Sequence, residues 1–179
     1  MICKKKIKIY TIILGFLIVS CENQEKSEPQ ENFLKSLNEW QEFKLIQTDD
    51  RYGEWGGNTF ILRIYKNADS DSILADYKEL EGSPDPPPTP DPDSINKPWY
   101  NYKPVVMEKK GIKLSAREKE LIQKSILELT INKLENKNRI SHSGISNAVI
   151  FQDSSLIIKD YPSINWSNFQ KLKKSVLEK

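Results

Sequence analysis

The densest group of residue types able to do chemistry lies in residues 49–58. This segment holds two aspartates, a glutamate, Tyr52, Trp55 and three of the seven glycines of the chain. Asp50 and Glu54 are the candidate pair for glycoside hydrolysis, which needs two carboxylates about 5 to 9.5 Å apart. The composition is also typical of a wide turn between strands, and we favour that interpretation over catalysis. A binding role for Tyr52, Glu54 and Trp55 stays open, because exposed aromatic residues on loops often contact ligands.

Other catalytic and metal-binding chemistry has few residues to draw on. His142 is the only histidine, and we interpret it as an ordinary loop residue before a hairpin; the chain has two cysteines, Cys3 and Cys21. No glycine-rich phosphate loop or EF-hand pattern is present. The sequence therefore predicts no catalytic residue, no metal and no cofactor. Its 27 basic and 25 acidic residues are nearly balanced, which indicates no nucleic-acid partner.

A second aromatic group follows a proline-rich segment. Seven of the ten prolines fall in residues 82–98, and Trp99, Tyr100 and Tyr102 come directly after them. Such a segment forms neither a helix nor a central strand, so we predict a loop rich in proline and aspartate. The aromatic residues either fix this loop onto the domain, which we favour, or form a recognition surface for a partner.

Residues 1–20 have the composition of a targeting segment. Four lysines precede an apolar run of eleven residues, 9–19. Crossing a bilayer takes about 20 apolar residues, so this run is too short to span one and is typical of a signal peptide. Its removal leaves 23 basic and 25 acidic residues. The mature chain is therefore expected to be slightly acidic.

The end of this segment, LIVSC at residues 17–21, resembles the lipobox of bacterial lipoproteins. The resemblance implies that a diacylglycerol is attached to the sulfur of Cys21, that the chain is cut before Cys21 and that the new amine is acylated. It places the protein in the bacterial cell envelope, favours the outer membrane and leaves open whether the protein faces the periplasm or the cell surface. Two or three acyl chains make a stable anchor, since each buried CH₂ contributes about 0.8 kcal/mol. Residues 22–32 are predicted to be a disordered acidic tether.

Residues 33–179 are predicted to form a single α+β domain with a mostly antiparallel sheet of about five strands. The clearest strand pattern is TFILRIYK at residues 59–66, where Phe60, Leu62 and Ile64 share one face and Ile61, Arg63 and Tyr65 share the other. Gly111 is expected to end the strand before the first helix, and Pro162 is expected to end the last strand. As a whole, the domain resembles uncharacterised small envelope lipoproteins of diderm bacteria.

Two helices are predicted, at about residues 115–136 and 165–178. Ser115 and Glu118 form an S-x-x-E capping box at the start of the first helix. Apolar residues lie on two sides of this helix, so we expect it to contact the sheet and also a second element. The two apolar stripes consist of Ile122, Ile126 and Leu129, and of Leu127, Ile131 and Leu134.

These features favour a lipid-anchored binding or interaction module without enzymatic activity. Its expected partners are the membrane, through the lipid on Cys21, and an envelope protein or glycan. Two alternatives stay open: an envelope glycan hydrolase that uses Asp50 and Glu54, and a lipid-anchored inhibitor of a toxin.

We predict that Cys21→Ala abolishes lipid labelling and leaves an uncleaved or soluble protein, because the acylated sulfur is lost. Cys3→Ala is the matched control, since Cys3 is removed with the signal peptide and labelling should persist. Incorporation of radioactive palmitate and membrane fractionation measure both effects. Normal labelling and membrane retention of the Cys21→Ala variant would contradict the lipoprotein assignment.

Overall fold

The computed structural model describes residues 33–51, 56–70, 72–83, 85, 103–136, 140–163 and 165–179. A short 3₁₀ helix at Phe33–Ser36 comes first. Six strands and two α-helices follow within the described residues: β1 (Glu42–Asp49), β2 (Thr59–Lys66), β3 (Ile73–Leu80), β4 (Val105–Lys113), α1 (Ala116–Glu135), β5 (Ile145–Phe151), β6 (Ile157–Ser163) and α2 (Ser167–Leu177).

The six strands form one antiparallel sheet in the order β4-β3-β2-β1-β5-β6. β1 to β4 follow one another as a meander, and α1 then carries the chain to the other side of β1. The predicted α+β class, antiparallel sheet and two helices are confirmed, but the sheet has six strands rather than about five. β4 is the least evident in the sequence, because it lies at the sheet edge and buries only Ile112. It therefore lacks the alternation of buried and exposed residues that marks a strand.

Two residues that were expected to end strands lie inside them instead. β4 continues past Gly111, which has a φ of 66°. The register shifts there, and the N–H of Gly111 donates to the Asp76 carboxylate over 2.8 Å, so Gly111 forms a bulge. Pro162 lies within β6, where its missing N–H is tolerated because β6 is an edge strand.

One face of the sheet carries the hydrophobic core, and both helices cover it. Phe43 and Leu45 of β1 lie opposite Ile64 and Leu62 of β2, and all four side chains are buried. Alternate residues of a strand point to the same face, so this register builds a continuous apolar layer. From the helices and the residue before α2, the core receives Ile122, Leu129, Trp166, Phe169, Leu172 and Val176.

Glu118 joins the start of α1 to the end of α2. It closes the predicted capping box, in which the Ser115 hydroxyl accepts a hydrogen bond from the Glu118 N–H and the Glu118 carboxylate accepts one from the Ser115 N–H. The same carboxylate is buried and also accepts hydrogen bonds from the Ser175 hydroxyl, at 2.9 Å, and from the Lys179 ammonium group. The Glu118 side chain thus caps the start of α1 and also binds the end of α2.

Glu128 plays the corresponding part at the start of α2. Its carboxylate accepts hydrogen bonds from the backbone N–H groups of Ser167, at 2.7 Å, and Asn168, at 2.8 Å. Trp166, the N-cap residue of α2, provides no side-chain cap itself. The first turn of a helix has unpaired N–H groups, so Glu128 supplies the acceptor that α2 lacks.

We predict that Glu118→Gln lowers the free energy of unfolding at pH 7 by about 2 kcal/mol, because charge-assisted hydrogen bonds to a buried carboxylate are lost. Burial raises the pKa of Glu118, but hydrogen bonds from Lys179, Ser115 and Ser175 outweigh burial and hold the pKa below the ordinary value of 4.5. A carboxyl group with a lowered pKa stabilises the fold above its unfolded pKa, and this contribution disappears as the pH falls through the folded pKa. Urea unfolding should therefore show a large difference between wild type and variant at pH 7 and a smaller one near pH 3.

Glu120→Gln is the matched control on the same helix. Glu120 is exposed and forms an ion pair with Lys124 over 2.6 Å. Exposed pairs at i and i+4 contribute little, so the control should unfold like the wild type at either pH. An equal effect of the two substitutions, or a Glu118→Gln effect that does not depend on pH, would show that Glu118 does not have this role.

Candidate functional site

Most residues singled out from the sequence lie outside the part of the chain that the structure describes: Cys21, Tyr52, Glu54, Trp55, Trp99, Tyr100 and Tyr102. Described residues lie on both sides of two of the segments, 52–55 and 86–102, and define where these two start and end. No helix among the described residues is long and apolar enough to cross a bilayer.

Asp49 and Arg51 organise the chain where β1 ends. The Arg51 guanidinium donates two hydrogen bonds to the Asp49 carboxylate, at 2.8 and 2.6 Å, and the Arg51 N–H donates a third at 3.1 Å. These hydrogen bonds hold the pKa of Asp49 below its ordinary value. Between them in the chain, the Asp50 N–H donates to the Gly144 carbonyl oxygen over 2.8 Å. The end of β1 that leads into the Tyr52–Trp55 segment is thus held by the Asp49–Arg51 hydrogen bonds and by the hydrogen bond from Asp50 to Gly144.

Two glycines bring the ends of three strands into backbone contact. Gly57 has a φ of 82°, and a Cβ atom there would lie 1.7 Å from the Asp49 carbonyl oxygen. A Cβ atom on Gly82, two residues after β3, would lie 2.1 Å from the Gly57 carbonyl oxygen. Only glycine permits such close approach. Gly57 is one of the three glycines of the predicted turn at residues 49–58, and its positive φ is a conformation that glycine adopts without steric cost.

Asn58 and Lys103 complete this structure. The Asn58 amide donates to the Glu79 carboxylate over 3.0 Å and accepts from the Gly82 N–H at 3.2 Å. The Lys103 ammonium group donates to the Gly57 carbonyl oxygen over 3.2 Å. We call Gly57, Asn58, Gly82 and Lys103 the loop base. The Tyr52–Trp55 segment and the proline-rich segment with its aromatic group are both attached to this base.

At this end of the sheet, the carboxyl group of Asp50 has an electrostatic environment that changes its pKa. Partial burial raises its pKa above the ordinary value, and the negative charge of Asp49 acts in the same direction. The positive charges of Lys103 and Lys159 oppose the increase without cancelling it. Such a carboxyl group suits proton donation or the binding of a polar ligand. A hydrolase pair also needs Glu54, which lies outside the described residues.

Among the described residues, neither His142 nor a metal-binding cluster adds a catalytic group to this site. His142 is exposed in the loop before β5, as expected for an ordinary loop residue. Among the described residues, no group of three or more His, Cys, Asp or Glu side chains is arranged to hold a metal ion.

The sequence does not reveal the hydrogen bonds that Lys103 and Asn58 form at the loop base. The sequence predicts that Lys103 starts a strand and that Asn58 is an ordinary turn residue. Their hydrogen bonds join positions that are 46 and 24 residues apart, so no local pattern reveals them. The segment lies between the antiparallel strands β1 and β2, whereas the contacts of its described residues with Gly82 and Lys103 depend on the sheet topology.

Comparisons with protein-family models, with curated proteins and with solved structures each find no match for this chain. The function is therefore argued from the residues and their geometry.

We predict that Gly57→Ala destabilises the protein by about 3 kcal/mol, since an alanine needs both a positive φ and displacement of the Asp49 backbone. Gly111→Ala is the matched control, because Gly111 also has a positive φ but has nothing within 4 Å of an added Cβ atom. Its cost should be only about 1 kcal/mol, that of the backbone conformation. Chemical denaturation measures both values, and equal losses would contradict the close approach at the loop base.

Proposed function

We propose that this protein is a lipid-anchored binding module of the bacterial cell envelope, without enzymatic activity, and that it binds its partner at the loop base. The observation that carries the binding site is that the described residues next to the two aromatic segments, Gly57 and Lys103, contact each other although they are far apart in sequence. Asn58 and Lys103 make the connecting hydrogen bonds. The sequence at Cys21 supports the anchor through its resemblance to a lipobox.

The residue types of the two aromatic segments favour binding. Trp and Tyr side chains supply large contact areas at low entropic cost, and they are enriched among the residues that dominate binding energy. A loop held at both ends loses less conformational freedom on binding than a free one. The chain from Arg51 to Gly56 and the chain from Ser83 to Lys103 both begin and end on the strand ends of one sheet. Trp55 and Trp99 are therefore the residues that we expect to contact an envelope protein or glycan.

The environment of Asp50 favours a second candidate, an envelope glycan hydrolase. A general acid needs a carboxyl group whose pKa is raised, as partial burial raises that of Asp50. Glu54 would supply the second carboxylate. Asp50→Asn separates the two functions, because it should abolish hydrolysis of envelope glycan and leave binding by a non-enzymatic module intact.

The experiment is capture of partners by the intact lipoprotein from solubilised envelopes, followed by mass spectrometry of proteins and glycans. We expect Trp55→Ala and Trp99→Ala each to reduce recovery of the specific partner about tenfold or more, as for a central aromatic contact. Trp40→Ala is the matched control, since Trp40 is 88 % exposed but lies before the start of β1, at the opposite end of the sheet. A toxin among the captured proteins would identify the third candidate, an inhibitor.

Two outcomes would contradict the proposal. One is that no protein or glycan is recovered specifically. The other is that the Trp40→Ala variant loses the partner while the Trp55→Ala and Trp99→Ala variants keep it, which would place binding at the other end of the domain.

A further inference from the structure

α1 carries three large apolar side chains on the side that faces away from the core. Leu127, Ile131 and Leu134 are 54 %, 44 % and 66 % exposed. They follow one another at i, i+4 and i+7, so they form one stripe along the helix. The second element that the sequence led us to expect beside α1 is α2, which contacts α1 through Glu128, and these three side chains stay exposed outside that contact. The stripe is defined as Leu127, Ile131 and Leu134.

The position of the stripe is unusual for a surface helix. Ile122 and Leu129 point into the core, and the stripe lies across the helix from them. A helix that covers a sheet normally places charged and polar residues on that outer side. A contiguous exposed apolar surface of this kind marks a place of contact with another molecule.

The charges beside the stripe indicate what that molecule is. Lys124 and Glu135 are eleven residues apart, which is three helical turns, so they flank the same side of the stripe at opposite ends. The midpoint between them lies within one residue of Thr130, and so does the midpoint between Leu127 and Leu134. A second α1 that runs antiparallel about this point would place Lys124 beside the other Glu135, twice.

A depression next to the stripe offers space for an apolar side chain. It has a volume of about 310 Å³, and its lining includes Leu127 and Ile131 together with Asn168 from the start of α2. In the antiparallel arrangement, Leu134 of a second copy comes next to Leu127 of the first. Packing of side chains from one helix between those of another is the usual mode of helix association.

We propose that the stripe is the interface between two copies of this chain, whose α1 helices pair antiparallel about a two-fold axis near Thr130 and Ile131. Lys124, which forms an exposed ion pair with Glu120 of its own helix, would also meet Glu135 of the second copy, and two such reciprocal contacts fix the direction of pairing. In a parallel pair the two-fold axis runs along the helices and places the two Lys124 side chains on opposite sides of the interface. No pair between Lys124 and Glu135 then forms, so the charges select the antiparallel arrangement. This interface is separate from the loop base and does not depend on the proposed ligand or anchor.

The experiment is oxidative cross-linking of the purified full-length chain with Ile131→Cys. A cysteine near the two-fold axis meets its own copy, so we expect a disulfide-linked dimer on a non-reducing gel, at least tenfold above the wild-type chain. Lys133→Cys is the matched control, because Lys133 is exposed on the same helix but away from the stripe. Cys3 and Cys21 contribute equally to every variant and set the background.

Charge reversal then tests the direction of pairing in the Ile131→Cys background. Lys124→Glu alone and Glu135→Lys alone should each reduce the dimer severalfold, since like charges then face each other. The two substitutions together should restore it. A mixture of Leu127→Cys chains with Leu134→Cys chains gives a second readout and should form mixed dimers.

Several outcomes would overturn the proposal. If Ile131→Cys cross-links no better than Lys133→Cys, the stripe does not meet its own copy. Failure of the double charge reversal to restore the dimer would exclude the reciprocal ion pairs. Cross-linking of Leu127→Cys chains with each other, in preference to mixed dimers with Leu134→Cys chains, would indicate a parallel pair.

Discussion

The position of α2 in the fold depends on two carboxylates of α1, each of which binds one end of α2. Glu118 and Glu128 are ten residues apart, about 15 Å along a helix, and α2 with its 11 residues is about 16 Å long. The two helices run antiparallel, so each carboxylate meets one end of α2. Glu128 accepts hydrogen bonds from otherwise unpaired N–H groups and places a negative charge at the positive end of the helix dipole. With both ends fixed, the apolar side of α2 has one position on the sheet.

A chain of polar side chains beneath the helices strengthens this arrangement. The Gln170 amide of α2 donates to Gln47 of β1 over 2.6 Å, Gln47 donates to Asn147 of β5 over 2.9 Å, and Asn147 donates to Ser163 of β6 over 2.8 Å. Buried amides are costly unless they are hydrogen-bonded, so this chain permits one register of three strands and one position of the helix. Gln47 lies near the end of β1 that leads to the loop base. The helix layer and the candidate site are therefore positioned by the same strands.

The parts of this structure that the sequence predicts are those with local causes. The capping box at Glu118 and the alternation of residues 59–66 each depend on neighbours within a few positions, and both are confirmed. The contact of Gly57 with Gly82 and the hydrogen bond from Lys103 depend on strand order, which no short pattern contains. The same reason explains why a turn between strands at residues 49–58 was predicted but the contacts of Gly57 and Asn58 with Gly82 and Lys103 were not. Features that depend on neighbouring residues can be predicted from the sequence, whereas contacts between distant segments depend on the order of the strands in the sheet.

The direction of β1 relates the candidate site to the start of the domain. Phe33, the first described residue, packs its ring 5.9 Å from that of Phe43, near the start of β1. Asp50 follows the other end of β1, and the eight residues of the strand span about 27 Å. The loop base therefore lies at the opposite end of the sheet from the point where the domain begins.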